Sequence, residues 1–301
     1  MTPSATGQWL VSARGHRWFF DSGALSLDFA YTGDWGFGVP EWERLHGVDD
    51  LARWLDERFA DAHDAPADAD GGGAAAVRER GAVPGARADE PFGAATAGER
   101  RSEQPESHGS ARSLDAPTVA DFADALDLRA AISTLALLAA RVTGAAAAEQ
   151  AGAETAVAVD AGSGGGAGDA EVDPATPPAA PSFAEAVAAD ARARAAVDAL
   201  NAFAARHDLA PWLPGGDDPR PPATASDALA SIARDAVSLF AAHAHRIREC
   251  EGGTCRLVFV DTSRPGRRRW CSMSRCGGWA KARAHAERER RRSEELPPAT
   301  G

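Results

Sequence analysis

All four cysteines of the 301-residue chain fall within 27 positions: Cys250, Cys255, Cys271 and Cys276, spaced C-x4-C-x15-C-x4-C. Two short-spaced pairs repeated once suit a tetrahedral Zn²⁺ site, because each pair chelates from one turn and the chain between them brings the pairs together. Gly252-Gly253 inside the first pair permits the tight knuckle that two adjacent ligands need. Two disulfides or four ordinary buried thiols are the competing readings. The N-terminus has no basic segment followed by an apolar one, so no secretory signal is expected. A reducing cytoplasmic location then disfavours disulfides. Four thiolates close the coordination sphere, which makes the expected single Zn²⁺ structural rather than catalytic. His243 and His245 lie just upstream but are read as plain helix residues, His243 on an apolar stripe.

The elements that must position these ligands are partly legible. Arg256-Leu257-Val258-Phe259-Val260 reads as a strand, Thr262 to Gly266 as a turn, and Arg267-Arg268-Arg269-Trp270 as the return strand. The chain becomes helical after Cys271. Knuckle, hairpin and ligand-bearing helix is the treble-clef order. Upstream, Trp18-Phe19-Phe20 and Leu25-Ser26-Leu27-Asp28-Phe29 are expected to pair as a short hairpin about Asp21-Ser22-Gly23, since the second run alternates apolar and polar residues. Leu51, Trp54, Leu55 and Phe59 mark a helix stripe, and Leu128, Ile132, Leu135, Ala139 and Val142 mark another, opened by Thr118 with Asp121 three residues on. Ser182 to Glu185 has the capping-box pattern before a third helix carrying Val197, Leu200 and Phe203. A fourth begins near Ser226, with Leu229, Ile232, Ala236, Leu239, Phe240, His243 and Ile247 on one stripe, and runs into the first cysteine pair.

Residues 61–112 and 145–181 hold few sizeable apolar side chains and many glycines and prolines, so both are expected to be disordered insertions. The glycine run Gly162 to Gly168 lacks the lysine and flanking strand of a phosphate loop and reads as linker. The expected fold is therefore mainly α, with a short N-terminal β-hairpin, a C-terminal treble-clef-like zinc finger and two long disordered insertions. The expected organisation is a helical domain over 14–245, a finger over 246–292 and a disordered tail over 293–301.

The run Cys250-Glu-Gly-Gly-Thr-Cys255, Phe259-Val-Asp261-Thr-Ser263, Arg268-Arg269-Trp270-Cys271-Ser272-Met273 and Cys276-Gly277 resembles the CGNR zinc-finger family. In that family the finger ends a chain whose N-terminal part is the ABATE domain, described as a stress-induced transcription regulator. Leu27-Asp28-Phe29-Ala30-Tyr31-Thr32 is similar to that domain's opening motif, usually Leu-Asp-Phe-Ala-Asn-Thr, with Tyr31 in place of Asn. The naming motif Cys-Gly-Asn-Arg reads Cys276-Gly277-Gly278-Trp279 here. The resemblance implies a DNA-binding regulator whose zinc ligands are retained.

Charge points the same way. The net charge is −12, yet residues 246–292 hold fourteen Arg or Lys against five Asp or Glu, a net of +9, whereas residues 1–245 carry −19. From Arg264 to Arg292 there are eleven bases and two acids, an excess that needs a partner. Phosphates of double-stranded DNA fit it best, with Arg267, Arg268, Arg269, Lys281, Arg283 and Arg288 as the expected contacts. The acidic body, an acidic protein or a membrane surface are the other acceptors weighed. A zinc-stabilised adaptor that docks on an acidic protein partner is the alternative function. A homodimer and a small-molecule effector of unknown identity are compatible with either. No membrane span is expected, since the apolar run Ala130 to Ala140 is bounded by Arg129 and Arg141. An enzyme is not expected. Asp28, Asp34, His16 and His46 form no motif at a catalytic spacing, and Trp35, Trp42 and Trp54 read as core, with a small-molecule pocket among them left open.

Overall fold

A computed structural model describes residues 6–12, 15–59, 114–160, 180–210, 222–253 and 255–295. The expected insertion at 61–112, the glycine run Gly162 to Gly168 and most of the C-terminal tail lie outside the described residues. The helical body is built around α3 (Val119–Asp160). Thr118 opens it: its hydroxyl accepts from the Asp121 amide at 3.1 Å while the Asp121 carboxylate takes the Thr118 N–H at 2.8 Å. This reciprocal cap satisfies two helix-end donors at once. Leu128, Ile132, Leu135 and Ala139 are buried along one face, as the stripe predicts. α3 runs on through residues 145–160, where disorder was expected. Alanine and glutamate there are good helix formers, and a continuing helix propagates more cheaply than a new one nucleates.

Against α3 pack α1 (Leu25–Ala30), α5 (Ala191–Ala204) and α6 (Ala225–His243). α2 (Val48–Phe59) adds Leu51, Trp54 and Leu55 to the same core. The capping box at Ser182 opens α4 (Phe183–Ala189), but this is a short helix of its own. Asp190 ends it and caps α5, accepting from the Arg192 and Ala193 amides, so Leu200 and Phe203 belong to the second of two helices. By length and composition alone, Val119–Gln150 could cross a membrane. Here that segment is the central helix of the body, and Arg129, about a third of the way along it, is ion-paired with Glu43 at 2.7 Å.

The N-terminal hairpin forms with different strands from those expected. β1 (Gln8–Val11) pairs antiparallel with β2 (Arg17–Phe20), Gln8 opposite Phe20 and Val11 opposite Arg17. The Leu25 run is α1, not a strand. Its alternation misled because Ser26 and Asp28, read as solvent-facing, are both fully buried. The Asp28 carboxylate takes the Gly7 N–H at 2.6 Å and the Ser22 hydroxyl at 2.6 Å, and the Ser26 amide donates to Asp235 at 2.8 Å. Burial pushes the Asp28 carboxyl above its ordinary value, and those hydrogen bonds and the nearby Arg58 offset part of the rise.

Candidate metal centre

α6 stops at His243, and a 3₁₀ turn, Ala244–Arg246, redirects the chain into β3 (Ile247–Glu249). β3 pairs antiparallel with β4 (Val258–Val260), Ile247 opposite Val260 and Glu249 opposite Val258. The first cysteine pair is therefore the turn of this hairpin. The expected return strand, Arg267 to Trp270, joins no ladder; it lies beside the knuckle through one backbone bond, Glu251 N–H to Arg269 O at 2.9 Å. Ile247 thus leaves the helix stripe to which the sequence assigned it, and His243 and His245 are exposed, away from the sulfurs. A π-helical turn, Met273–Gly277, carries Cys276 and leads into α7 (Gly278–Glu295).

These elements bring Cys250, Cys255, Cys271 and Cys276 together, all buried, with their Sγ atoms within 4.8 Å of one another. Cys271 Sγ lies 3.7 Å from both Cys255 Sγ and Cys276 Sγ. A tetrahedron of sulfurs about 2.3 Å from Zn²⁺ has edges of about 3.8 Å, so the spacing fits that ion. A Cβ at Gly252 would sit 2.8 Å from Cys276 Sγ and 3.2 Å from Cys250 Sγ; only glycine lets the backbone pass so close to the site. Gly253, at φ +79°, completes the knuckle.

The chemistry of the donor set agrees. Without a cation four adjacent sulfurs cannot all ionise. Hydrogen bonds from Cys255 and Cys271 hold the Cys250 thiol far below its usual range, to about 2. Cys255 and Cys271 are raised by donating to it, and burial pushes Cys276 up to about 12. A bound dication removes this conflict and lets all four serve as thiolates. The Cys271 N–H adds a hydrogen bond to Cys250 Sγ at 3.3 Å.

Much of the surrounding arginine is structural. Arg246 donates to the Asp261 and Ser263 carbonyls, Arg248 to the Gly266 carbonyl. Arg268, an expected DNA contact, is turned inward. Its guanidinium donates to the Trp270, Asp21 and Cys271 carbonyls and lies 4.4 Å from the Phe259 ring centre. Arg269 is exposed, paired with Glu251 at 2.6 Å and set over Trp270. Arg267, Lys281, Arg283 and Arg288 are exposed, and Arg283 lies against the knuckle beside Gly253. Of the expected DNA contacts, Arg268 alone is turned inward, while Arg269 and Arg283 both lie beside the knuckle.

Several residues have roles at this centre that the sequence did not assign to them. The buried Asp261 carboxylate orders the loop after β4, accepting from Ser263 N–H at 2.9 Å, Ser263 Oγ–H at 2.5 Å and Arg268 N–H at 2.8 Å. Burial works to raise its pKa, but these bonds and Arg248 prevail and hold it below the ordinary value. Asp-x-Ser is a turn-forming pattern that could have flagged it. Tyr31, fully buried, ties the body to the finger: its hydroxyl donates to Val258 O at 3.0 Å and accepts from Val258 N–H at 2.7 Å. Around it Phe20, Trp18, Trp42 and Leu10 share one buried cluster with Leu257, Phe259 and the four cysteines. Trp35 stacks on Tyr31 and Trp54 packs edge-on against Phe29. Trp42 lines a cleft of about 230 Å³ that also touches Phe37, Cys255 and Arg275.

No curated protein matches the chain. The model of the CGNR zinc finger family matches residues 246–289, the segment that supplies all four sulfurs. Residues 246–289 are thus a CGNR zinc finger, and its four cysteines hold one structural Zn²⁺.

Proposed function

We propose that this chain is a cytoplasmic DNA-binding transcription regulator, with an ABATE-like helical body that senses a signal or dimerises and no catalytic role of its own. One observation carries the DNA reading. α7 packs chiefly against the turn at its root, and every side chain from Lys281 to Ser293 is exposed. Its eighteen residues extend about 27 Å and carry Lys281, Arg283, Arg288, Arg290, Arg291 and Arg292 against only Glu287 and Glu289 up to position 292. A helix polar on all sides gains nothing from a core, and the one ion pair along it among the described residues, Glu287 with Arg291 at 3.1 Å, leaves most of its positive charge unmatched and available to a polyanion. The major groove of B-DNA admits one helix, and guanidinium groups suit its phosphates and guanine edges.

The test is duplex-DNA binding by the zinc-loaded full chain across a salt series, beside the triple variant Arg283→Gln, Arg288→Gln, Arg290→Gln. Loss of three phosphate contacts should lower the slope of log K against log salt by about 3. An unchanged affinity and slope would count against the DNA reading. The exposure of Met273 (55%) and Trp279 (56%) at the root of α7 favours the second reading, an adaptor for an acidic protein partner. That reading gains if Trp279→Ala leaves DNA affinity unchanged and removes a protein contact.

A further inference from the structure

We propose that Arg275, clasped between Trp18 and Trp279, supplies part of the counter-charge of the zinc centre and makes retention of the metal depend on the N-terminal hairpin. Four thiolates around one Zn²⁺ carry a net charge of −2, and all four cysteines are buried. Charge held away from water is costly unless an opposite charge or donors sit beside it. Arg275 is the cation in place: Nη1 lies 3.9 Å from Cys255 Sγ. Among the described residues no carboxylate pairs with it.

Its position is set from two sides. The guanidinium carbon is 3.8 Å from the centre of the Trp18 ring and 5.2 Å from that of Trp279. Trp18 is on β2, nearly buried, and braced edge-on by Trp42. A planar cation against an aromatic face is held by electrostatic attraction that strengthens as water is excluded. The plane of the guanidinium therefore depends on a residue more than two hundred positions away in sequence. Arg268 makes a parallel link, joining the carbonyl of the ligand residue Cys271 to that of Asp21 at the end of the hairpin. The finger's metal thus has outer contacts that the finger segment alone does not contain. Arg275 is a positioning residue here, acting on the metal through Cys255.

The experiment measures zinc release from the full chain into excess 4-(2-pyridylazo)resorcinol, followed by absorbance. Groups around metal ligands typically change affinity about 10–100-fold. Arg275→Gln should accordingly speed release by about tenfold or more, Arg275→Lys less, since it keeps charge but not the planar stack. Trp18→Leu should speed release too, though Trp18 is not itself a ligand. Leu200→Ala, a buried substitution on α5 in the helical core, is the control for general loosening. A Co²⁺-substituted sample of each variant should keep the spectrum of a four-sulfur site, showing that the ligands still assemble. Release from Arg275→Gln within twofold of the parent would overturn the proposal. So would equal acceleration by Leu200→Ala and Trp18→Leu, which would assign the effect to general loosening alone.

Discussion

Tyr31 and Asp28 carry most of the information at the scale of single residues. Both stand in the motif Leu27-Asp28-Phe29-Ala30-Tyr31-Thr32, and both are fully buried. Asp28 closes the N-terminal segment on itself through Gly7 and Ser22, with Arg58 Nη1 3.7 Å away. Tyr31 reaches across 227 positions of sequence to hold both backbone groups of Val258. Replacing it by phenylalanine keeps the ring and its stacking on Trp35 but leaves a buried N–H and C=O without partners. An unsatisfied buried polar group costs about 1–3 kcal/mol. Tyr31→Phe should therefore lower the stability of the zinc-loaded chain by about 2–4 kcal/mol in a urea titration. A loss below about 0.5 kcal/mol would mean that the bridge contributes little beyond packing. Sequence could mark position 31 as a departure from the family motif, but not say what a tyrosine there would reach.

The hairpin β3–β4 and the loop behind it show how an element is set by contacts outside itself. β3 has only three residues, Ile247–Glu249, too few to specify a strand by alternation, so the sequence reading extended α6 over Ile247. The apolar run Val258–Val260 was visible as a strand, but its partner was not. Either flank, 247–249 or 267–270, could have paired with it. The Asp261 turn decides the matter by holding the Arg268 amide and keeping the return segment off the ladder. Because the folded Asp261 carboxyl titrates below its unfolded value of about 3.9, it stabilises the fold at pH values above that, and the contribution is lost as pH falls through the folded pKa. Asp261→Asn should therefore be less stable than the parent at pH 7, with the gap closing below about pH 4. A gap that stays constant from pH 7 to pH 3 would show that the charge has no part in it. The expected hairpin at 18–29 failed for a related reason. Polar residues at alternate positions signal an exposed face only when nothing in the protein covers them; here both Ser26 and Asp28 are buried, and Gly7 and Ser22 pair the Asp28 carboxylate.

Among the described residues the buried apolar side chains form two clusters, and their membership crosses the border between body and finger. Ile247, Val258 and Val260 of the finger's hairpin belong to the helical core around α3, whereas Leu10, Trp18, Phe20 and Tyr31 belong to the core around the sulfurs. A finger cut at its family boundaries would expose both sets. The segment 246–289 on its own should consequently show no cooperative thermal transition even with one equivalent of Zn²⁺. The full chain treated with a chelator should lose near-ultraviolet circular dichroism from its N-terminal aromatics as well as from the finger. A fragment that melts cooperatively would contradict this picture of a shared core. Sequence alone determined the ligand set, the metal and the main helices, because cysteine spacing and 3.6-residue periodicity are local properties. The sharing of one core by two sequence-distant segments, the strand that pairs with β4 and the division of the arginines were settled only by tertiary structure. Arg246, Arg248 and Arg268 are indistinguishable in sequence from Arg267 and Arg288. What separates them is whether a carbonyl stands within reach of the guanidinium, and only the folded chain places one there.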